Sequence, residues 1–162
     1  EEVPFRWMTG TQSHEGMAGT RAAIDHIAWI GREVSGNEGL GRREALKIAY
    51  SAIEEHEREL CLRMIQGLAD IDGLKIWGIT NPERIAERSP TVSFTHPKMV
   101  ASEIGALLAE RGIFVWAGNF YALELTEALG LEPEGVLRVG LLHYNSMEEV
   151  NFFISSVREI LG

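Results

Sequence analysis

The chain has 162 residues, of which 45% are hydrophobic and 24% charged, so it can build a sizeable core without staples. Acidic residues outnumber Lys and Arg by 24 to 15, a net charge of −9, which argues against nucleic acid as the main partner because phosphate binding needs a basic excess. A single cysteine, Cys61, excludes an internal disulfide framework and a cysteine-rich zinc site; it fits a reducing, cytoplasmic setting. No apolar run reaches the length of a membrane span, and no signal peptide is visible. The sequence opens on Glu1 and runs at once into Val3-Pro4-Phe5-Arg6-Trp7-Met8, which reads as the middle of a fold and suggests a piece of a longer protein.

The elements follow in order. Glu1 to Gln12 is expected to be extended or looped. A helix is predicted from about His14 to Ile30, with Met17, Ile24, Ile27 and Ala28 at helical spacing. Ser35-Gly36-Asn37-Glu38-Gly39-Leu40-Gly41 is the best boundary candidate. The longest helical pattern runs from about Arg42 to Asp70. Its apolar stripe passes through Ala45, Ala49, Ile53, His56, Leu60, Met64 and Leu68, and its charged face carries Glu44, Lys47, Glu54 and Arg58.

Strands are predicted at Leu74–Ile79 and, from clean alternation, at Thr91–Thr95, with a turn at Asn81-Pro82 between them. Pro97 suits a first helical position behind a Thr95 or His96 cap, and Gly112 would end that helix. A short strand at Ile113–Trp116, a short helix at Tyr121–Leu129 and a strand at Val136–Leu142 come next. Ser146-Met147-Glu148-Glu149 is a capping box opening the last helix. From Arg42 the order is αββαβαβα. The expected fold class is α+β, a small, mainly antiparallel sheet covered by helices.

Several chemical patterns fail on inspection. His56-Glu57-Arg58-Glu59-Leu60 lacks the second histidine of a zinc helix, so His56 reads as a packing residue and no metal is expected. The glycine-rich stretch has no preceding strand and no following Lys-Ser/Thr, unlike a phosphate loop. Cys61 reads as a small buried hydrophobe. Two places remain. Thr9-Gly10-Thr11-Gln12-Ser13 precedes a helix, where backbone N–H groups suit an anion; ordinary capping by Ser13 or Thr11 is the alternative. Arg138 lies in the apolar strand Val136-Leu137-Arg138-Val139-Gly140. It either clamps a carboxylate or points to solvent.

Together these segments resemble the C-terminal third of class V aminotransferase-like enzymes, the fold-type-I pyridoxal-phosphate (PLP) proteins that include the cysteine desulfurases. The resemblance rests on Thr9-Gly10-Thr11, His56–Leu60, Arg88-Ser89-Pro90-Thr91-Val92-Ser93-Phe94, Gly112–Gly118 and above all Leu137–Val150 with its Arg138, Tyr144-Asn145 and capped helix. It implies residues 1–38 as the tail of a PLP-binding large domain and 39–162 as the small domain. It implies that Gly10, Thr11 and Gln12 contact the PLP phosphate across a homodimer and that Arg138 holds the α-carboxylate of an amino-acid substrate. Asn119 and Tyr121 would line the substrate mouth. The Schiff-base lysine is expected upstream, because Lys47, Lys75 and Lys98 stand in no matching context. In desulfurases an Arg-x-Gly-x-His-Cys stretch carries the sulfur acceptor; here Trp116 stands at the arginine and Tyr121 at the cysteine. A phenol cannot accept sulfane sulfur as a thiolate does. Transamination, elimination and racemisation stay open, as do a desulfurase using another cysteine and a non-catalytic dimerisation or protein-binding module.

Overall fold

The computed structural model describes residues 2, 3 and 5–162; Glu1 and Pro4, part of the expected opening loop, lie outside the described residues. The chain divides into two compact units, Glu1–Glu54 and Glu55–Gly162. The expected boundary between Ser35 and Gly41 falls in the loop joining the first two helices.

In the first unit, one 3-10 turn at Phe5–Trp7 precedes helix α1, His14–Ser35. Ser13 caps it, its Oγ accepting the Gly16 N–H at 3.2 Å, so the helix start is closed as the capping alternative requires. The helix continues past Ile30 to a left-handed Gly36, whose N–H returns to the Arg32 and Glu33 carbonyls. Helix α2, Arg42–Ala69, begins in this unit. A Cβ on Gly31 would sit 1.9 Å from the Ala45 carbonyl oxygen. The absence of a side chain there lets α1 and the start of α2 touch backbone to backbone.

The second unit holds the rest of α2 and the sheet. Strand β1 is Lys75–Trp77, β2 Thr91–Thr95, β3 Trp116–Gly118 and β4 Val136–Gly140. Helix α3 is Ala101–Glu110, α4 Leu123–Ala128 and α5 Met147–Leu161. The strands lie in the order β1-β2-β4-β3, and every pairing is antiparallel. β2 and β3 therefore run the same way with β4 inserted between them, a split βαβ crossover through α3. This is the expected α+β arrangement.

The register sorts side chains onto two faces. One row, Ile76–Phe94–Leu137–Ala117, crosses the sheet on the core side. There Val92, Phe94 and Leu137 are fully buried with Leu60, Met64 and Leu68 of α2, Ile104 and Leu108 of α3, and Val150 and Val157 of α5. Phe94 and Phe153 meet edge to face, with centroids 6.5 Å apart. Gly67 lets α2 and α5 approach; a Cβ there would lie 2.4 Å from Ile154 Cδ1. The Ser146 capping box forms in full, with Ser146 Oγ accepting the Glu149 N–H and Glu149 Oε2 accepting the Ser146 N–H.

Several element boundaries differ from expectation. Pro97 does not open a helix: His96 bridges to Met99 around a tight turn, and α3 starts only after Val100, which supplies no side-chain cap. The His96 ring serves that turn instead, accepting the Lys98 N–H on Nδ1, while Nε2 bonds the Asp72 carbonyl at 3.1 Å. The third strand forms at Trp116–Gly118, not at Ile113–Trp116. Ile113 and Val115 pack on the core ahead of the strand, so their apolar character reports burial without pairing. The strands expected at Leu74–Ile79 and Val136–Leu142 are each trimmed to the residues that pair. Among the described residues no helix is long and apolar enough to cross a membrane, and no group of three or more His, Cys, Asp or Glu could hold a metal.

Candidate active site

Arg138 is the middle residue of β4 and points away from the helices. Its row across the sheet is Trp77–Ser93–Arg138–Trp116. The flanking Leu137 and Val139 are buried while Arg138 is half-buried, as strand alternation dictates. Among the described residues no carboxylate pairs with it and no group accepts a hydrogen bond from it. Its contacts are aromatic: Cζ lies 4.1 Å from the Phe120 ring centroid and 5.6 Å from that of Trp116. Phe120 and Trp116 in turn meet at 88°. A cavity of about 570 Å³, lined by Thr91, Phe114, Val115, Trp116, Arg138 and Gly140, opens beside the guanidinium. An arginine in this setting presents its full set of N–H donors to a planar anion, the geometry a carboxylate matches bidentately.

The loop after β3 carries Phe120 to the guanidinium, and none of its residues lines the cavity. Phe120 and Tyr121 both have positive φ, 56° and 63°, and the Ala122 N–H closes the turn on the Asn119 carbonyl at 2.8 Å. Glycine, Asn and Asp are the usual occupants of such positions, because a Cβ there costs about 1–2 kcal/mol per residue. Asn119 holds the turn from within, its Oδ1 accepting the Tyr121 N–H at 3.2 Å and its Nδ2 donating to Glu132 at 3.3 Å. Glu132 also accepts the hydroxyl of buried Thr126. Asn119 thus supports the loop, while the Tyr121 side chain stands 98% exposed. The residues that touch Arg138 are Phe120 and Trp116, which sequence reasoning left out of the site. The strand register could have pointed to Trp116; nothing in the sequence announces the left-handed turn that brings Phe120 over.

The chain segment following Arg138 is pinned at several points. Asn145 Oδ1 accepts the Leu142 N–H at 2.8 Å, its Nδ2 donates to Glu149 at 3.3 Å, and its carbonyl lies 2.9 Å from His56 Nε2. The Ser146 backbone N–H and then the Asn145 amide hold the Glu149 carboxyl below its ordinary range. Asn145 and the capping box therefore lock the segment after β4 between α2 and α5. His56 is half-buried and takes part in that lock, in keeping with its expected packing role. Cys61 is buried, and that burial pushes its thiol up against a smaller opposing effect of Arg88. It packs in the core on the helix side of the sheet and does not reach the Arg138 face.

Gly10, Thr11 and Gln12 belong to the first unit and are all exposed. Among the described residues no hydrogen bond occupies their backbone N–H groups or the Thr11 hydroxyl, and a Cβ on Gly10 would meet nothing within 4 Å. That donor set is open to an anion such as a phosphate.

The family model for aminotransferase class-V matches residues 43–153. A probable cysteine desulfurase of Xylella fastidiosa is 30% identical over 162 residues, covering 98% of this chain and 33% of the relative. An aminotransferase-like protein of Gibberella zeae is 37% identical over 117 residues, covering 71% of this chain and 29% of the relative. The chain thus spans about a third of the length of the curated relatives it matches. Among solved structures, the apo cysteine desulfurase of Thermococcus onnurineus superposes with a TM-score of 0.65 at 28% identity, over 74% of this chain and 28% of that one. The cysteine desulfurase CsdA of Escherichia coli gives 0.72 over 100% of this chain and 35% of that one; at 23% identity it shows the fold alone. The chain belongs to the class V aminotransferase family.

Proposed function

We propose that this chain is the C-terminal part of a PLP-dependent enzyme that acts on an amino acid. In this reading residues 1–38 complete the large domain and 39–162 form the small domain. PLP, when bound, supplies an electron sink for bonds at the substrate α-carbon. The open donors of Gly10, Thr11 and Gln12 fit its phosphate, contacted across a homodimer. None of the three lysines of this chain is assigned a cofactor role; Lys75 lies over the Trp77 ring at 3.6 Å.

Arg138 binds and orients the substrate α-carboxylate. The observation that carries this reading is an arginine on an otherwise apolar strand that has no acidic partner among the described residues and opens on a cavity. Asn119 holds the turn that brings Phe120 to Arg138, and Tyr121 stands at the mouth of the site. By the resemblance to the desulfurase motif, Tyr121 stands where the sulfur-accepting cysteine would be, and Cys61 is buried. Desulfuration through a thiol on this loop is therefore not the reaction this chain supports; transamination, elimination and racemisation are each consistent with the residues it retains.

The test is Arg138→Ala in the whole protein. Amino-acid binding should weaken by about tenfold or more, as expected for loss of a charge-assisted bidentate contact, while PLP content stays unchanged. Equal loss of both would make Arg138 a structural residue and remove this reading.

A further inference from the structure

We propose that Phe120 is a positioning residue for Arg138: the left-handed turn Asn119–Ala122 holds its ring against the guanidinium, so that a substrate carboxylate meets an arginine already in place. This rests on the reading of Arg138 as the carboxylate-binding group.

The first argument is the turn. Two aromatic residues fill consecutive positive-φ positions, φ 56° and 63°, where Gly or Asn would sit without strain. Strain of this kind persists only where its surroundings over-determine it. Here they do. Asn119 bonds the Tyr121 N–H and reaches Glu132, and Glu132 is tied to Thr126, which is 4% exposed. The network spans the loop after β3, helix α4 and the segment before β4.

The second argument is what the turn delivers. Tyr121 is 98% exposed, so burying the phenol does not account for it. Phe120 goes to Arg138, 4.1 Å from Cζ to the ring centroid, and meets Trp116 nearly at right angles, 6.1 Å between centroids. Cation–π attraction acts on the guanidinium charge through the ring face and consumes none of its N–H donors. A salt bridge would hold the arginine equally well but would occupy the donors the substrate needs. Arginine is long and flexible, and fixing it before the ligand arrives removes part of the ordering penalty of binding.

The experiment uses the PLP-loaded whole protein and two calorimetric probes, L-alanine and ethylamine, which differ by the carboxylate. Phe120→Asn removes the ring and suits a positive φ; Phe120→Gly does the same by a second route. Both should weaken L-alanine binding by about tenfold, leave ethylamine binding unchanged and not lower the melting temperature. Phe120→Tyr keeps the ring face and should restore L-alanine binding to within about twofold of the unmodified protein. The positioning role is overturned if the Asn and Gly variants bind L-alanine like the unmodified protein, or lose both probes equally, while Arg138→Ala still loses L-alanine selectively. If the unmodified protein shows no preference for L-alanine, or Arg138→Ala keeps it, the carboxylate reading itself falls and takes this inference with it.

Discussion

The two faces of the sheet are built from alternate residues of the same strands. On the helix side, Ile76, Phe94, Leu137 and Ala117 form a row that is apolar throughout, and its two central residues are fully buried. On the other side, Trp77, Ser93, Arg138 and Trp116 form a row of polar, cationic and aromatic groups. A shift of one residue in β4 would exchange Arg138 with its apolar neighbours, placing an unpaired charge in the core. The core row thus fixes the register, and the register places the Arg138 row. If Arg138 binds the substrate as proposed, stability and chemistry sit on opposite faces of one element and should respond to different substitutions.

The largest effect should come from the core row. Phe94→Ala removes a fully buried ring that packs edge to face on Phe153. The expected loss is about 3–5 kcal/mol, from transfer and cavity together. Hydrogen exchange read by mass spectrometry should show the amides of β2 and β4 losing protection together, because both depend on that residue. If protection were lost in β2 alone, the two strands would not share one core.

A smaller effect separates the framework of the site from its chemistry. Ser146→Ala removes the side-chain half of the capping box, which should weaken the first turn of α5 by about 1 kcal/mol. Asn145 still bonds Leu142, and His56 still bonds the Asn145 carbonyl, so the end of β4 stays anchored. Exchange should therefore quicken at Met147–Val150 and remain slow in β4. Loss of protection in β4 as well would mean that the cap, not Asn145 and His56, holds the strand.

Sequence patterns read these two faces unevenly. The alternation of Thr91–Thr95 and the Ser146 capping box are local, and both formed with the boundaries that local chemistry predicts. Arg138 stood out because a charge inside an apolar strand demands a physical explanation. Phe120 did not, because its role depends on a backbone conformation that its residue type disfavours. Pro97 misled for a related reason. A proline suits a turn as well as a helix start, and the long-range bond from His96 to Asp72 decided between them. Tyr144-Asn145 is distinctive as a sequence motif, yet its asparagine turned out to be an anchor for the chain leaving Arg138.

The smallest effect on stability is the sharpest test of the comparison. Arg138→Met keeps an unbranched stem of similar length and removes the charge. Arg138 is half-buried, bonds no acidic group among the described residues and gives the fold only its aromatic contacts. A thioether beside Phe120 and Trp116 retains part of that contact. Urea unfolding should therefore shift by no more than about 0.5 kcal/mol, the range of surface substitutions. Amino-acid binding should fall as far as in Arg138→Ala, since neither side chain can donate to a carboxylate. A loss of stability comparable with Phe94→Ala would show that the guanidinium helps to hold the sheet, and the division of labour between the two faces would not stand. Unchanged stability with lost binding would place the arginine wholly on the side of function, leaving the apolar rows of β2 and β4 to hold the fold.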